Sequence, residues 1–306
     1  MKWLLLLVTF ATSLHICGQI VSHPPMRPLP QPVDRPLTEG PHKFVDVTHG
    51  LDRNPGTNAK PWKTLAHAIE QLKPGDTLYL RGGTYYERVS TSIKGTREKR
   101  IIIASYPGEL AVIDGSLREF YETPETSWEP YPDGAEGEYR STKAYPELEA
   151  RLNKTNLLGN FGDSMVPLFG YRFLTDLRSN NHKYKNAEAK TEAGKGVYCG
   201  PGVYLDPETH RIHIRLAHTQ QPSIGEENNY RGETDPRKVR LVIAGAGSSA
   251  LEIRNAEYLT LGDLVFRGSR EATINIEDSL QIILDGVTSF GGSWVKSQKY
   301  AEPVLF

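Results

Sequence analysis

Asp263 and Asp285 form the strongest carboxylate pair in this sequence. Two acids a few ångströms apart can cleave a glycosidic bond. One donates a proton to the leaving oxygen, and the other attacks the sugar or activates water. Both lie in segments that repeat at an offset of 23 residues, one position out of register, so about one strand-to-strand step separates them. Each also neighbours a glycine, in Gly262-Asp263 and Asp285-Gly286, and turn or bulge chemistry accounts for them equally. Glu252 and Glu277 rank second, since ion pairing with Arg254 explains them. Arg267 and Arg270 follow the strand around Leu264 and offer guanidinium groups to an acidic sugar, or are simply solvated. Trp294 and Tyr300 can stack on sugar rings or pack between coils.

Other polar groups point to architecture. His210 and His213 share an alternating strand beside an Asp-Pro turn and lack a third ligand, so no metal site is expected. Asp52, Asn54 and Asp76 read as loop and helix-cap residues. Cys199 reads as a packed small hydrophobe. Asn153-Lys154-Thr155 is a glycosylation acceptor only in a eukaryotic secretory route.

The chain of 306 residues carries a formal net charge of -1, with 38% hydrophobic residues, and a mean hydropathy of -0.47. That balance argues for a soluble chain without the basic face that nucleic acid requires. Residues 1–19 read as a secretory signal: Lys2 precedes an apolar run over 3–11 that is too short to span a bilayer. A lipid anchor at Cys17 is disfavoured by His15 and Ile16, where small residues are wanted. The expected location is therefore secreted, periplasmic or cell-surface. Residues 20–42 hold seven prolines, including Pro24, Pro32 and Pro36, and read as an extended linker.

The elements that would position the acids begin at 43–47, a short alternating strand. A polar loop follows, then a helix over 61–73 with Leu65, Ala68, Ile69 and Leu72 on one face, ended by Pro74-Gly75. Thr77-Leu78-Tyr79-Leu80 is the next strand. Asp52-Arg53-Asn54-Pro55-Gly56-Thr57, Pro61-Trp62-Lys63-Thr64-Leu65 and Pro74-Gly75-Asp76-Thr77-Leu78-Tyr79-Leu80-Arg81-Gly82-Gly83-Thr84-Tyr85 together resemble the opening of the pectin-lyase-like β-helix superfamily. The resemblance implies an all-β fold, a right-handed parallel β-helix whose short N-terminal helix caps the first coil. Such an end must be covered, because it exposes apolar surface and unpaired backbone. Lyases, hydrolases and non-enzymatic adhesins share this fold, so it is specific for architecture and not for reaction.

Periodicity supports a solenoid independently. Leu78 and Leu80 recur as Ile101 and Ile103, and Leu259, Leu261 and Leu264 as Ile282, Leu284 and Val287, both at an offset of 23. Arg254-Asn255 recurs as Glu277-Asp278. Residues 43–115 thus hold the cap and first coils. Residues 116–240 break the period and read as an insertion with a hairpin pairing Val203 and Leu205 with Ile212 and Ile214. Residues 241–306 resume the coils, starting at Leu241-Val242-Ile243-Ala244-Gly245. The apolar end Pro303-Val304-Leu305-Phe306 lacks a capping signature, so a C-terminally truncated solenoid is expected.

In this superfamily reactive groups project from the middle coils into an open groove suited to a polymer. The insertion and hairpin favour a glycoside hydrolase. The alternatives are a polysaccharide lyase, with Ca²⁺ assisting removal of a proton beside a uronate carboxylate, and a non-catalytic adhesin or sugar-binding protein. No cofactor is expected for the hydrolase. The expected partner is a polysaccharide or oligosaccharide, bound by a monomer without a membrane span.

Overall fold

The computed structural model describes residues 30–148, 157–162, 167–182, 196–221, 229–245, 249–269, 272–290 and 296–298. The signal over 1–19, Asn153, Arg270, Trp294 and Tyr300 lie outside the described residues.

Alternating apolar residues build three parallel sheets that share one core. The first sheet stacks His42–Val45, Thr77–Leu80, Ile101–Ser105, Glu257–Gly262 and Leu280–Asp285 in that order. The second stacks Gly83–Tyr85, Ala111–Asp114, Val265–Arg267 and Thr288–Phe290, and the third Val89–Thr91, Leu251–Arg254, Ile274–Glu277 and Lys296–Gln298. A coil gives one strand to each sheet. Leu78, Leu80, Ile101, Ile103, Leu259, Leu261, Ile282 and Leu284 point inward and are buried together with Ile113, Ile253, Phe266 and Ile276. Each such side chain contributes about 1.5–3 kcal/mol by leaving water.

The later coils keep the 23-residue offset: Leu259 pairs with Ile282 and Leu261 with Leu284. The first coils do not. Leu78 pairs with Ile103 and Leu80 with Ser105, an offset of 103 − 78 = 25 residues. The loop before Ile101 takes up the difference, since it folds back through Thr96 N–H to Lys99 O (3.0 Å) and Lys99 N–H to Thr96 O (3.2 Å).

The helix is shorter than the sequence suggests, Leu65–Glu70 rather than 61–73. Trp62 stays extended because its N–H donates to Phe44 O and its carbonyl accepts from Asp46 N–H. Thr64 then caps the helix by accepting from His67 N–H. The Glu87 carboxylate accepts from Leu65 N–H and Ala66 N–H, so the first free amides of the helix are satisfied from the neighbouring coil. Leu65, Ala68 and Ile69 enter the solenoid core.

The solenoid resumes at Leu251 and not at Leu241. Leu241–Gly245 pairs antiparallel with Leu157–Phe161, at the end of a seven-stranded mixed sheet that also contains Pro167–Gly170, Gly202–Leu205, Arg211–Arg215, Glu138–Ala144 and Trp128–Pro130. All five residues of Leu241–Gly245 are buried, which gives the unbroken apolar run of a solenoid strand. The hairpin has the expected register, Val203 opposite Ile214 and Leu205 opposite Ile212.

The insertion is spliced into the middle of one coil. Ala111–Asp114 lies in the second sheet, and Leu251–Arg254 supplies the third-sheet strand of that same coil. The two junctions touch: a Cβ on Gly115 would stand 3.3 Å from Ala250 Cα and 2.6 Å from Gly268 O. Exit and re-entry at one point let a separate sheet be inserted without breaking the stack. No helix among the described residues is long and apolar enough to cross a membrane.

Candidate functional site

The outward positions of the first sheet form continuous ladders. One runs Phe44, Tyr79, Ala104, Gly262, Asp285, and the next His42, Thr77, Ile102, Thr260, Ile283. The early coils carry a packed aromatic cluster there, with buried Phe44 and Tyr79 stacked at 6.0 Å and Tyr106 edge-on to Tyr79. The Arg81 guanidinium covers Tyr106 at 4.7 Å. The later coils present carboxylates.

Asp285 extends from the sheet and is 53% exposed, whereas Asp263 is 9% exposed. Asp263 sits one position beyond Gly262, in the left-handed region at φ 51°. Its N–H donates to Asp285 O at 2.9 Å, and its own carbonyl accepts from Ser105 Oγ at 2.7 Å. This backbone turn holds its side chain against the next coil. Gly286, also left-handed at φ 67°, leaves the room: a Cβ there would lie 2.2 Å from Asp263 Oδ1. Asp263 Oδ1 is buried and accepts no hydrogen bond.

One guanidinium bridges the two acids. Arg35 Nε lies 3.0 Å from Asp263 Oδ2, and its terminal nitrogens lie 2.5 and 3.2 Å from the two oxygens of Asp285. Burial pushes the Asp263 carboxyl above its ordinary range, the Arg35 charge pulls it back, and the Asp285 charge pushes it up again. One guanidinium that holds both carboxylates puts the two acids within reach of a single bound group, as acid-pair glycoside chemistry requires.

Arg35 comes from the proline-rich segment that reads as a free linker in the sequence. Residues 30–41 instead cross the first sheet. Thr38 N–H donates to Tyr79 Oη at 2.8 Å, Thr38 Oγ1 lies 2.8 Å from Thr77 Oγ1, and His42 Nε2 lies 2.7 Å from Thr38 O. Gly108 N–H donates to Val33 O, and Thr77 N–H to Pro41 O. No sequence period links Arg35 to acids some 250 residues away, so sequence reasoning missed it.

Arg267 stands elsewhere, correcting its expected place on the surface. It is buried on the second sheet, with its Nε 2.6 Å from Asp114 Oδ2 and its guanidinium 4.0 Å from the centre of the Tyr121 ring. A strand-end arginine alternating outward is covered here by the insertion. Glu252 and Glu277 flank Arg254 at 3.5 and 3.2 Å, the ion-pair arrangement. His213 Nδ1 lies 2.7 Å from Glu138 Oε1 inside the inserted sheet. Asp52 accepts from Lys63 N–H and Thr64 N–H, Asn54 donates to Pro61 O, and Asp76 accepts from Lys73 N–H. Burial raises the Cys199 thiol above its ordinary range, away from a reactive thiolate. Among the described residues, no three His, Cys, Asp or Glu side chains converge as metal ligands do.

Comparisons agree with this architecture. Residues 44–129 match the Pel9A-like, right-handed beta helix region. The chain is 40% identical to the uncharacterized protein YwoF of Bacillus subtilis (strain 168) over 89 residues, 28% of this chain and 19% of that protein. It is 37% identical to pectate lyase PEL9 of Emericella nidulans over 68 residues, 22% of this chain and 17% of that protein. These matches span less than a fifth of each curated relative. Among solved structures, the complex of XylC with xylose superposes with a TM-score of 0.52 at 16% identity, over 82% of this chain and 42% of that one. A structure described as a glycoside hydrolase superposes with a TM-score of 0.50 at 11% identity, over 82% and 62%. At those identities the likeness is one of fold.

Proposed function

We propose that this chain, a right-handed parallel β-helix of the pectin-lyase-like superfamily, is a secreted glycoside hydrolase that binds a polysaccharide across the first sheet and cleaves it at Asp263 and Asp285. The observation that carries the reading is the pair itself. Two acids from successive coils converge on one guanidinium, one of them buried with a raised pKa and the other exposed. Unlike environments separate acid from base in such pairs.

In this reading Asp263, the acid whose charge burial disfavours, gives a proton to the leaving glycosidic oxygen. Asp285 attacks the anomeric carbon, and the glycosidic bond breaks. Water then attacks the anomeric carbon of the glycosyl–Asp285 ester, loses its proton to Asp263, and breaks the bond to Asp285, which releases the sugar with its configuration retained. A neutral glycan suits the pair better than a uronate, whose carboxylates would meet further negative charge.

The similarity of residues 44–129 to the Pel9A-like region and to a pectate lyase favours a second reading, β-elimination on a uronate polymer. The acids would then serve a cation such as Ca²⁺ that holds the uronate. The full chain incubated with xylan and with polygalacturonate separates the two. New reducing ends without the ultraviolet absorbance of an unsaturated uronate support hydrolysis, and that absorbance supports elimination. Under the hydrolase reading, Asp263→Asn and Asp285→Asn each lower kcat by at least about 100-fold. Activity undiminished in both variants removes the pair from the chemistry.

A further inference from the structure

We infer that residues 30–41 are a displaceable strap that lies in the polymer track of the first sheet and plugs its carboxylate pair with Arg35. The inference rests on reading that face as the track.

The path of the strap is the path a bound polymer would take. Tyr79 and Thr77, which hold Thr38, belong to the second strand of the sheet, and Asp285 belongs to the fifth. Three strand steps cover about 14 Å. Extended chain advances about 3.1 Å per residue, so the three residues from Thr38 to Arg35 cover most of that distance, and the arginine side chain reaches the rest. The strap is thus held at the second strand through Thr38 and at Gly108, after the third, through Val33. The Arg35 side chain reaches over to the acids of the fourth and fifth strands, where a glycan lying across the sheet would pass. Pro32, Pro36 and Pro41 set the extended form in advance, which lowers the entropy cost of laying the segment down.

The hold is loose. Residues 31–37 are exposed along their length, and Val33 and Leu37 turn apolar side chains to water. Arg35 is itself 48% exposed, so its pairing is screened by solvent. A sugar can replace the polar contacts in kind, with hydroxyls donating to the two carboxylates and to Tyr79 Oη. The orphaned Asp263 Oδ1 offers one acceptor that the strap leaves unused. Departure of Arg35 also removes the positive charge that pulls the Asp263 carboxyl down, so uncovering the site strengthens its hold on a proton and favours the protonated form that a general acid needs.

The test measures binding of soluble xylan and polygalacturonate to the full chain, and follows amide exchange at Thr38 and Gly108, whose N–H groups report the two ends of the strap. Polymer is expected to speed exchange at both amides. Arg35→Ala is expected to bind about five-fold tighter than the parent, and Arg35→Lys to fall between. If Asp285→Asn weakens binding while polymer leaves both amides protected and Arg35→Ala gains nothing, the strap is not in the track and the inference is overturned with the site intact. If neither polymer binds the parent or Arg35→Ala, or if Asp263→Asn and Asp285→Asn bind as the parent does, the track itself is misplaced and both readings fall.

Discussion

Replacing Glu138 with Gln should uncouple the inserted sheet from acid. Glu138 is fully buried at the start of Glu138–Ala144. It accepts from His213 Nδ1 at 2.7 Å, from Arg178 at 2.8 and 2.9 Å, and from Ala135 N–H at 2.7 Å. Burial opposes its ionisation, but those hydrogen bonds outweigh it and hold the carboxyl at about 2, against an ordinary 4.5. That difference corresponds to roughly 3 kcal/mol of stability supplied by the ionised group. Because the folded-state value is depressed, the contribution is complete above pH 4.5 and drains away as pH falls towards 2. Urea unfolding followed by the fluorescence of Trp128, buried in the inserted sheet against Phe120 at 4.3 Å, reads this region. Parent and Glu138→Gln should differ by about 3 kcal/mol at pH 7, and the gap should close as pH approaches 2. A gap below about 1 kcal/mol at neutral pH, or one that does not change with pH, would refute the account of this cluster.

Asp114→Asn leaves the Arg267 guanidinium buried and uncompensated beneath Tyr121, at an expected cost of about 3–5 kcal/mol in chemical denaturation. The double variant Asp114→Asn with Arg267→Met should recover much of that loss, since no charge then remains to be paired. Gly286→Ala should disrupt the acid pair while the solenoid still folds. Its Cβ would occupy the space of Asp263 Oδ1, 2.2 Å away, and its φ of 67° is left-handed. The expected readout is unaltered far-ultraviolet circular dichroism with xylan binding weakened to the level of Asp263→Asn, and binding equal to the parent's would contradict it.

What the sequence made legible follows from turn chemistry. In the later coils the left-handed corners fall at Asn255 and Asp278, Tyr258 and Gln281, and Asp263 and Gly286, each pair 23 residues apart. Constant corners force a constant offset, so the stacking of Leu259 on Ile282 could be read directly. The first coils carry a fold-back loop at Thr96 to Lys99, and a fixed period fails there. Leu241–Gly245 reads as a solenoid strand because burial on both faces looks alike in a solenoid strand and in a strand covered by an insertion. Arg267 and Arg35 escaped because what faces a side chain across such distances is decided by tertiary structure. Asp114 meets Arg267 only once coils stack, and Arg35 meets its acids only once the strap is laid down.

The same stacking explains why the acids sit diagonally. Gly262-Asp263 lies on Asp285-Gly286, with Gly262 opposite Asp285, so each carboxylate faces a glycine in the next coil and not its own kind. A like-for-like stack would hold two negative charges one strand step apart, about 4.8 Å, repeated with every coil. The swap places a single pair, gives Asp263 the pocket that a side chain at position 286 would fill, and leaves Asp285 in solvent. Two neighbouring carboxylates with such unequal burial need either a proton or a cation between them. Arg35 supplies the cation in the closed form, and in its absence the proton belongs on Asp263, the residue whose charge burial already disfavours.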